Sequence, residues 1–156
     1  MSRDICIYQE FLTEAHKDRI RETARRTGFT PHFFDLEQFD EAAGCLQHCE
    51  VLYAHSPELL RKAPAALKWY CCSFAGVDPY CKDPGLFANP DCMLTNSNVY
   101  GVTIAEHVVM VTLMLLRRMP EYEEIVRRRS WSNQLSIRSI RDNEFTILGT
   151  GDIGRH

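Results

Sequence analysis

The chain has 156 residues, of which 45% are hydrophobic and 25% are charged, and this balance is typical of a folded globular protein rather than of a disordered one. The net charge of -3 at pH 7 gives no basic surface that would attract nucleic acid or anionic lipid, and the longest apolar run is far shorter than the ~20 residues that a membrane helix needs. No basic leader with a long apolar segment follows Met1, so we expect a soluble cytoplasmic protein without nucleic-acid or membrane partners.

Seven cysteines are scattered along the chain without any C-x-x-C spacing. An odd number of cysteines without that spacing indicates neither a disulfide framework nor a zinc site. We therefore expect reduced, mostly buried thiols and no bound metal.

Short apolar runs alternate with helical patterns over the first 98 residues. The predicted strands lie at 4–8, 31–34, 51–54, 67–72 and 92–95, and the predicted helices lie at 14–27, 37–49 and 57–62. This alternation predicts an α/β domain over residues 1–98, built on a doubly wound parallel five-stranded sheet. Ligands of such sheets approach the carboxyl ends of the strands.

Long apolar helices are predicted after Gly101. Thr103 and Glu106 have the spacing of a capping box, and the helix that follows them carries apolar residues around its whole circumference as far as Leu116. Such a helix is expected to be covered on every side. A second helix is predicted from Glu121 to Arg129, and a polar linker follows it.

The last twelve residues contain a glycine motif. The apolar run from Phe145 to Leu148 predicts a strand, and Gly149, Gly151 and Gly154 follow it with G-x-G-x-x-G spacing. That spacing is typical of a strand that turns sharply into a helix whose first N–H groups face a pyrophosphate. Taken alone the motif is weak, because a tight glycine turn without a ligand has the same pattern.

Four segments in fixed order resemble the D-isomer-specific 2-hydroxyacid dehydrogenases. They are LKWYCCSFAGVD at 67–78, LTNS at 94–97, YGVTIAEHVVM at 100–110 and ILGTGDIGRH at 147–156. Residues 1–66 match that family only in their pattern of strands and helices. The resemblance implies a flavodoxin-like substrate domain at 1–98 and, at 99–156, linker and dimerisation helices with the first strand and glycine turn of an incomplete Rossmann domain.

The resemblance also implies which residues bind substrate and cofactor. Backbone N–H groups of Ala75, Gly76 and Val77 are expected to bind the carboxylate of a 2-keto or 2-hydroxy acid. Phe74 stands where relatives often have a small residue. The residues expected to contact NAD or NADP are Thr103, Gly149, Gly151, Asp152, Ile153 and Gly154. Thr103 is equally explained as a helix N-cap, and His107, which does not match the family's acid–base histidine, is expected to be a packing residue.

The remaining parts of the family's mechanism are expected beyond His156. They are an arginine that holds the keto acid, a histidine that transfers a proton, an acidic residue that tunes that histidine, and a further acid that binds the ribose. We therefore expect a truncated chain that is inactive alone and binds NAD weakly or not at all. A homodimer through Thr103 to Arg118 is expected from the apolar helix and, separately, from the resemblance.

Two alternatives remain open from the sequence. The first is a non-enzymatic module that binds small acids or another subunit. The second is another nicotinamide enzyme of the same plan, such as a formate dehydrogenase, because Ala105 to Met110 also resembles that family. The identity of the acid and the choice between NAD and NADP are not indicated by any residue of the chain.

Overall fold

The computed structural model describes residues 3–156, apart from the side chains of Pro84 and Asp142. The chain forms two compact units whose boundary falls between Ser97 and Asn98. The first unit contains all five strands of one parallel sheet, and the second is largely helical.

The first unit alternates strands and helices. Its strands are β1 (Arg3–Tyr8), β2 (Phe29–Phe34), β3 (Cys49–Ala54), β4 (Trp69–Cys72) and β5 (Met93–Thr95). Its helices are α1 (Glu14–Thr27), α2 (Phe39–Leu46), α3 (Pro57–Leu60) and α4 (Asp78–Lys82). The strand order is β2-β1-β3-β4-β5 and every neighbouring pair is parallel, which is the flavodoxin-like doubly wound order. The predicted fold class is confirmed for this unit.

Local sequence explains where α1 begins and ends. The hydroxyl of Thr13 accepts a hydrogen bond from the His16 N–H, and the Thr13 N–H donates to Nδ1 of His16, which together form a capping box. Gly28 has φ of 75° and supplies the left-handed C-cap. The predicted bounds of this helix are therefore confirmed.

Buried apolar side chains fill the space between the sheet and its helices. Those with almost no exposure include Cys6, Ile7, Leu46, Leu52, Leu59, Tyr70 and Tyr80. All seven cysteines are free thiols; Cys6, Cys49 and Cys72 are buried, whereas Cys81 is exposed.

The second unit consists of α5 (Gly101–Leu116), α6 (Met119–Arg127) and a 3₁₀ turn at Ile140–Asp142. Arg118, with φ of 56°, forms the left-handed junction between the two helices. No helix within residues 3–156 is long and apolar enough to cross a bilayer.

Two expectations for this unit are wrong. Residues 145–148 form no strand, because a strand needs a neighbour to pair with and residues 98–156 contain none. Helix α5 begins at Gly101, so Thr103 lies inside its first turn and does not cap it. Most apolar side chains of α5 are exposed, and Leu115, for example, is 65% exposed, so the described chain does not supply the cover that the apolar pattern of this helix requires.

Candidate functional site

The segment Ser73–Val77 leaves β4 at the carboxyl edge of the sheet. Its backbone is held in place from several directions: the Ser73 N–H donates to the Ala54 carbonyl at 3.1 Å, and the Ser97 N–H donates to the Phe74 carbonyl at 3.3 Å. The Asn96 amide donates to the Ala75 carbonyl at 2.7 Å. The buried Ser73 hydroxyl also accepts from the Gln9 side chain, which directly follows β1. The loop is thus fixed to β3 and to the segments that follow β1 and β5.

Three successive N–H groups of this loop are unpaired. Within the described chain, the N–H groups of Ala75, Gly76 and Val77 donate to no acceptor. Ala75 is exposed and the other two residues are half-buried. A Cβ added to Gly76 would meet only the Phe74 ring, at 3.9 Å, so the fold itself does not require glycine here. Consecutive free N–H groups beside a residue without a side chain form a surface that can bind an anion.

An aromatic group missed by the sequence analysis lies against this loop. His55 directly follows β3, and its ring stacks on Phe74 with the ring centroids 4.8 Å apart. The Tyr80 hydroxyl, which is buried, lies 3.1 Å from Nδ1 of His55. Burial raises the pKa of Tyr80 to about 12, so the phenol keeps its proton at neutral pH. The position of His55 at the carboxyl end of a parallel strand is the one sequence feature that could have indicated it.

The glycine turn in the second unit folds back on itself. Gly149 has φ of 97°, which a residue with a side chain rarely adopts. A Cβ added to Gly154 would lie 2.1 Å from the Gly149 carbonyl oxygen, so only glycine fits there. The Arg155 N–H donates to the Gly151 carbonyl at 3.2 Å, as in the first turn of a helix. The N–H groups of Gly151, Asp152 and Ile153 donate to no acceptor within the described chain.

The Asp152 carboxylate binds the start of α5. One oxygen accepts from the Gly101 N–H at 3.0 Å and the other accepts from Arg155 at 2.8 Å. Thr103 and Ile153 are exposed. His107 is exposed too, and the expectation that it packs against neighbours is wrong for this structure, because the surrounding face of α5 has no cover within residues 98–156.

The chain matches no protein-family profile over its length. A sequence relative is the D-lactate dehydrogenase of Staphylococcus aureus, which is 32% identical over 83 residues; these are 51% of the chain and 24% of that protein. A D-isomer-specific 2-hydroxyacid dehydrogenase family protein from Aeromonas salmonicida has a similar structure, with a TM-score of 0.78 and 26% identity over 99% of the chain. A probable 2-hydroxyacid dehydrogenase from Rhizobium etli, solved with NADP, HEPES and tartaric acid, has a TM-score of 0.63 and 23% identity over 98% of the chain.

By fold, the chain is therefore an α/β protein of the kind found in solved dehydrogenases. More narrowly, the resemblance to the D-isomer-specific 2-hydroxyacid dehydrogenases that its motifs indicate is confirmed. The chain covers 48% of the Aeromonas protein and 47% of the Rhizobium protein, so it spans about half the length of the solved relatives.

Proposed function

We propose that the chain is the N-terminal part of an NAD(P)-dependent oxidoreductase that interconverts 2-keto acids and D-2-hydroxy acids. The observation that carries the proposal is the row of unpaired N–H groups at Ala75, Gly76 and Val77, at the sheet edge where doubly wound proteins bind ligands. The resemblance to 2-hydroxyacid dehydrogenases supports the reaction type.

The loop binds the carboxylate of the acid. A carboxylate accepts charge-assisted hydrogen bonds, which are about twice as strong as neutral ones, and consecutive N–H groups offer several donors at once. The fold has room for a side chain at position 76, so packing does not explain why the residue is glycine. Close approach of the anion to the main chain explains it.

The glycine turn binds the pyrophosphate of NAD or NADP. The N–H groups of Gly151, Asp152 and Ile153 are free to donate, and the tight contact between Gly149 and Gly154 fits the roles of glycines in dinucleotide-binding turns. Thr103 contributes to the same cofactor site. The nicotinamide of the bound cofactor supplies or accepts the hydride. Since the Asp152 carboxylate already binds the Gly101 N–H, the contribution of Asp152 comes from its backbone.

The 156-residue chain is expected to be inactive by itself, because none of its residues matches the arginine, the acid and the histidine of the family's mechanism. The assay is NADH or NADPH oxidation with glyoxylate or hydroxypyruvate, compared with a no-protein control. Oxidation above that control would contradict this expectation. Calorimetric titration with NAD checks the cofactor site, and weak or unmeasurable binding is expected from the isolated chain.

A matched pair of glycine variants tests the substrate loop. Backbone amide spectra of the chain are recorded while D-lactate is added, and the Ala75, Gly76 and Val77 resonances are expected to move. Gly76→Ala should leave the spectrum folded but abolish the shifts, because the new methyl group blocks the anion. Gly44→Ala is the control, since it adds the same methyl group at an exposed helix position with nothing within 4 Å.

Absence of any shift in the wild-type loop would refute carboxylate binding there. Shifts in the loop without any response of Gly149 to Gly154 to NAD or NADP would favour the alternative of a small-acid-binding module.

Helix α5 is proposed to form a homodimer contact through Thr103 to Arg118. Val108, Val109 and Leu115 are each more than half exposed, and exposed apolar patches of this kind mark interaction surfaces. Light scattering at micromolar concentration should show a dimer. Leu115→Asp should give a monomer, whereas Val126→Asp, at a somewhat more exposed position on α6, should not. A monomeric wild-type chain would contradict the proposal.

A further inference from the structure

His55 lies beside the proposed carboxylate loop. Ala54 pairs with Cys72 in the register of β3 and β4, so His55 and Ser73 leave the sheet side by side. The His55 ring stacks on Phe74, the residue immediately before Ala75, with an angle of 27° between the rings. The imidazole is therefore in direct contact with the side chain that precedes the three free N–H groups of the loop.

Two buried groups that can donate a hydrogen bond lie beside Nδ1 of His55. The Tyr80 hydroxyl lies 3.1 Å from Nδ1, and the Cys72 thiol lies 3.6 Å from the same nitrogen. Both groups are buried and can donate a proton to Nδ1. The nearby Tyr70 hydroxyl is already used, because it donates to the Ala54 carbonyl at 3.2 Å. When both groups donate to Nδ1, this nitrogen is the acceptor and the neutral ring carries its proton on Nε2, which is the tautomer that the inference below uses.

The Nε2–H group is available to a ligand. His55 is exposed, and no residue of the described chain forms a hydrogen bond with its Nε2. A donor fixed in one tautomer and one ring orientation, next to a row of free N–H groups, can recognise a second oxygen on a bound acid. An alkyl group at the same place offers this donor no acceptor, so such an acid gains nothing from His55.

We infer that His55 determines which acid the loop accepts, by donating its Nε2–H to a hydroxyl or carboxylate oxygen carried beyond C2 of the acid. The inference rests on the proposed function, because the carboxylate at C1 must be held by Ala75, Gly76 and Val77. It also explains Phe74, whose ring is 54% exposed yet stacks on one face of the imidazole.

Four D-2-hydroxy acids with the same reacting end test the inference. D-Glycerate and D-2-hydroxybutyrate differ by a hydroxyl in place of a methyl group, D-malate carries a second carboxylate, and D-lactate has only a methyl group. Dissociation constants for the 156-residue chain are measured from backbone amide shifts. D-Glycerate is expected to bind about two- to tenfold more tightly than D-2-hydroxybutyrate, which is the range for one net hydrogen bond. Tighter binding of D-malate would identify a carboxylate as the preferred acceptor, and tighter binding of D-glycerate would identify a hydroxyl.

Two variants separate recognition from packing. His55→Phe keeps a ring against Phe74 and removes the donor, and the double variant His55→Phe with Tyr80→Phe also removes the phenol that would be left unpaired. Both should bind D-glycerate and D-2-hydroxybutyrate equally, with the affinity for D-2-hydroxybutyrate unchanged. The imidazole ¹⁵N spectrum of the wild-type chain should show a protonated Nε2 whose resonance moves with D-glycerate and not with D-2-hydroxybutyrate.

The outcomes distinguish this inference from the proposed function. If the acids shift Ala75, Gly76 and Val77 but all bind alike, or if His55→Phe and the double variant weaken all acids equally, the role of His55 is refuted and the carboxylate loop stands. If no acid shifts the loop, both proposals fail.

Discussion

Removing the Asp152 carboxylate should loosen the start of α5. Its Oδ2 accepts from the Gly101 N–H at 3.0 Å, and Gly101 is buried, so water cannot readily replace the lost acceptor. Asp152→Ala therefore leaves a buried donor unpaired at the positive end of the helix dipole.

The expected cost follows from comparable contacts. A buried donor left without a partner costs about 1–3 kcal/mol, and loss of a capping side chain costs ~1 kcal/mol. Both figures describe the same hydrogen bond, so Asp152→Ala is expected to cost about 1–3 kcal/mol in total. Asp152→Asn keeps an oxygen acceptor and loses the charge, so its cost should be about half of that, since charge-assisted hydrogen bonds are about twice as strong as neutral ones.

Amide hydrogen exchange measures this effect at the contact itself. Exchange of the Gly101 N–H should become about five- to a hundredfold faster in Asp152→Ala and less so in Asp152→Asn, because each 1.4 kcal/mol is about tenfold in an equilibrium constant. Arg155→Ala is the control, as it removes the other partner of Asp152 and leaves the cap. Unchanged exchange at Gly101 in Asp152→Ala would refute the reasoning.

Further predictions concern the first unit. Gly28→Ala should lower the free energy of unfolding by ~1 kcal/mol, because Gly28 has φ of 75°. Gly44→Ala should raise the free energy of unfolding by about 0.5–1 kcal/mol, because alanine is favoured over glycine inside a helix such as α2. Urea unfolding of both variants measures the two changes, and changes of the same sign would contradict the reasoning. Burial raises the pKa of the Cys6 thiol from 9.0 to about 12, so the unfolded chain releases this proton first and stability should fall as the pH rises from about 9 towards 12. Cys6→Ala should make that fall shallower and the exposed Cys81→Ala should not, in urea titrations across this range; identical slopes for all three proteins would contradict it.

The first unit was predictable because its local patterns agree with its tertiary structure. The capping threonine and the terminal glycine of α1 lie next to the helix they delimit, so its bounds could be read from the sequence. Helix α2 ends earlier than predicted because Cys49 already pairs with Asp4 in the sheet. Helix α4 was missed because Asp78 and Pro79 indicate a turn, and only the burial of Tyr80 in the core shows that the chain continues as a helix.

The errors in the second unit have a different cause. The N–H group of Gly101 at the start of α5 is bound by Asp152, which lies 51 residues further along the chain. Local sequence patterns near Gly101 show only the Thr103–Glu106 pair, so they predicted the wrong cap. A strand at 145–148 was predicted from its apolar residues, but strand formation also requires a neighbouring strand, which residues 98–156 do not provide.

The proposed site was only partly visible in the sequence. Ala75, Gly76 and Val77 could be identified through the resemblance, and the structure adds that their N–H groups are unpaired. His55 could not be identified in this way, because its significance depends on Tyr80, which lies 25 residues further along the chain, and on the ring of Phe74. Such combinations are produced by the sheet register rather than by any local motif.

Phe74 shows how a departure from a family pattern can carry information. In the sequence it was an isolated departure, because the resemblance implies a small residue at this position. In the structure its ring contacts His55, whose Nδ1 is bound by the buried Tyr80 hydroxyl, so the anomaly is one part of a connected aromatic group at the loop. A bulky ring that only filled space would narrow the site for every acid alike. A ring that orients a hydrogen-bond donor discriminates between acids of similar size, because only an acid with a second oxygen offers that donor an acceptor.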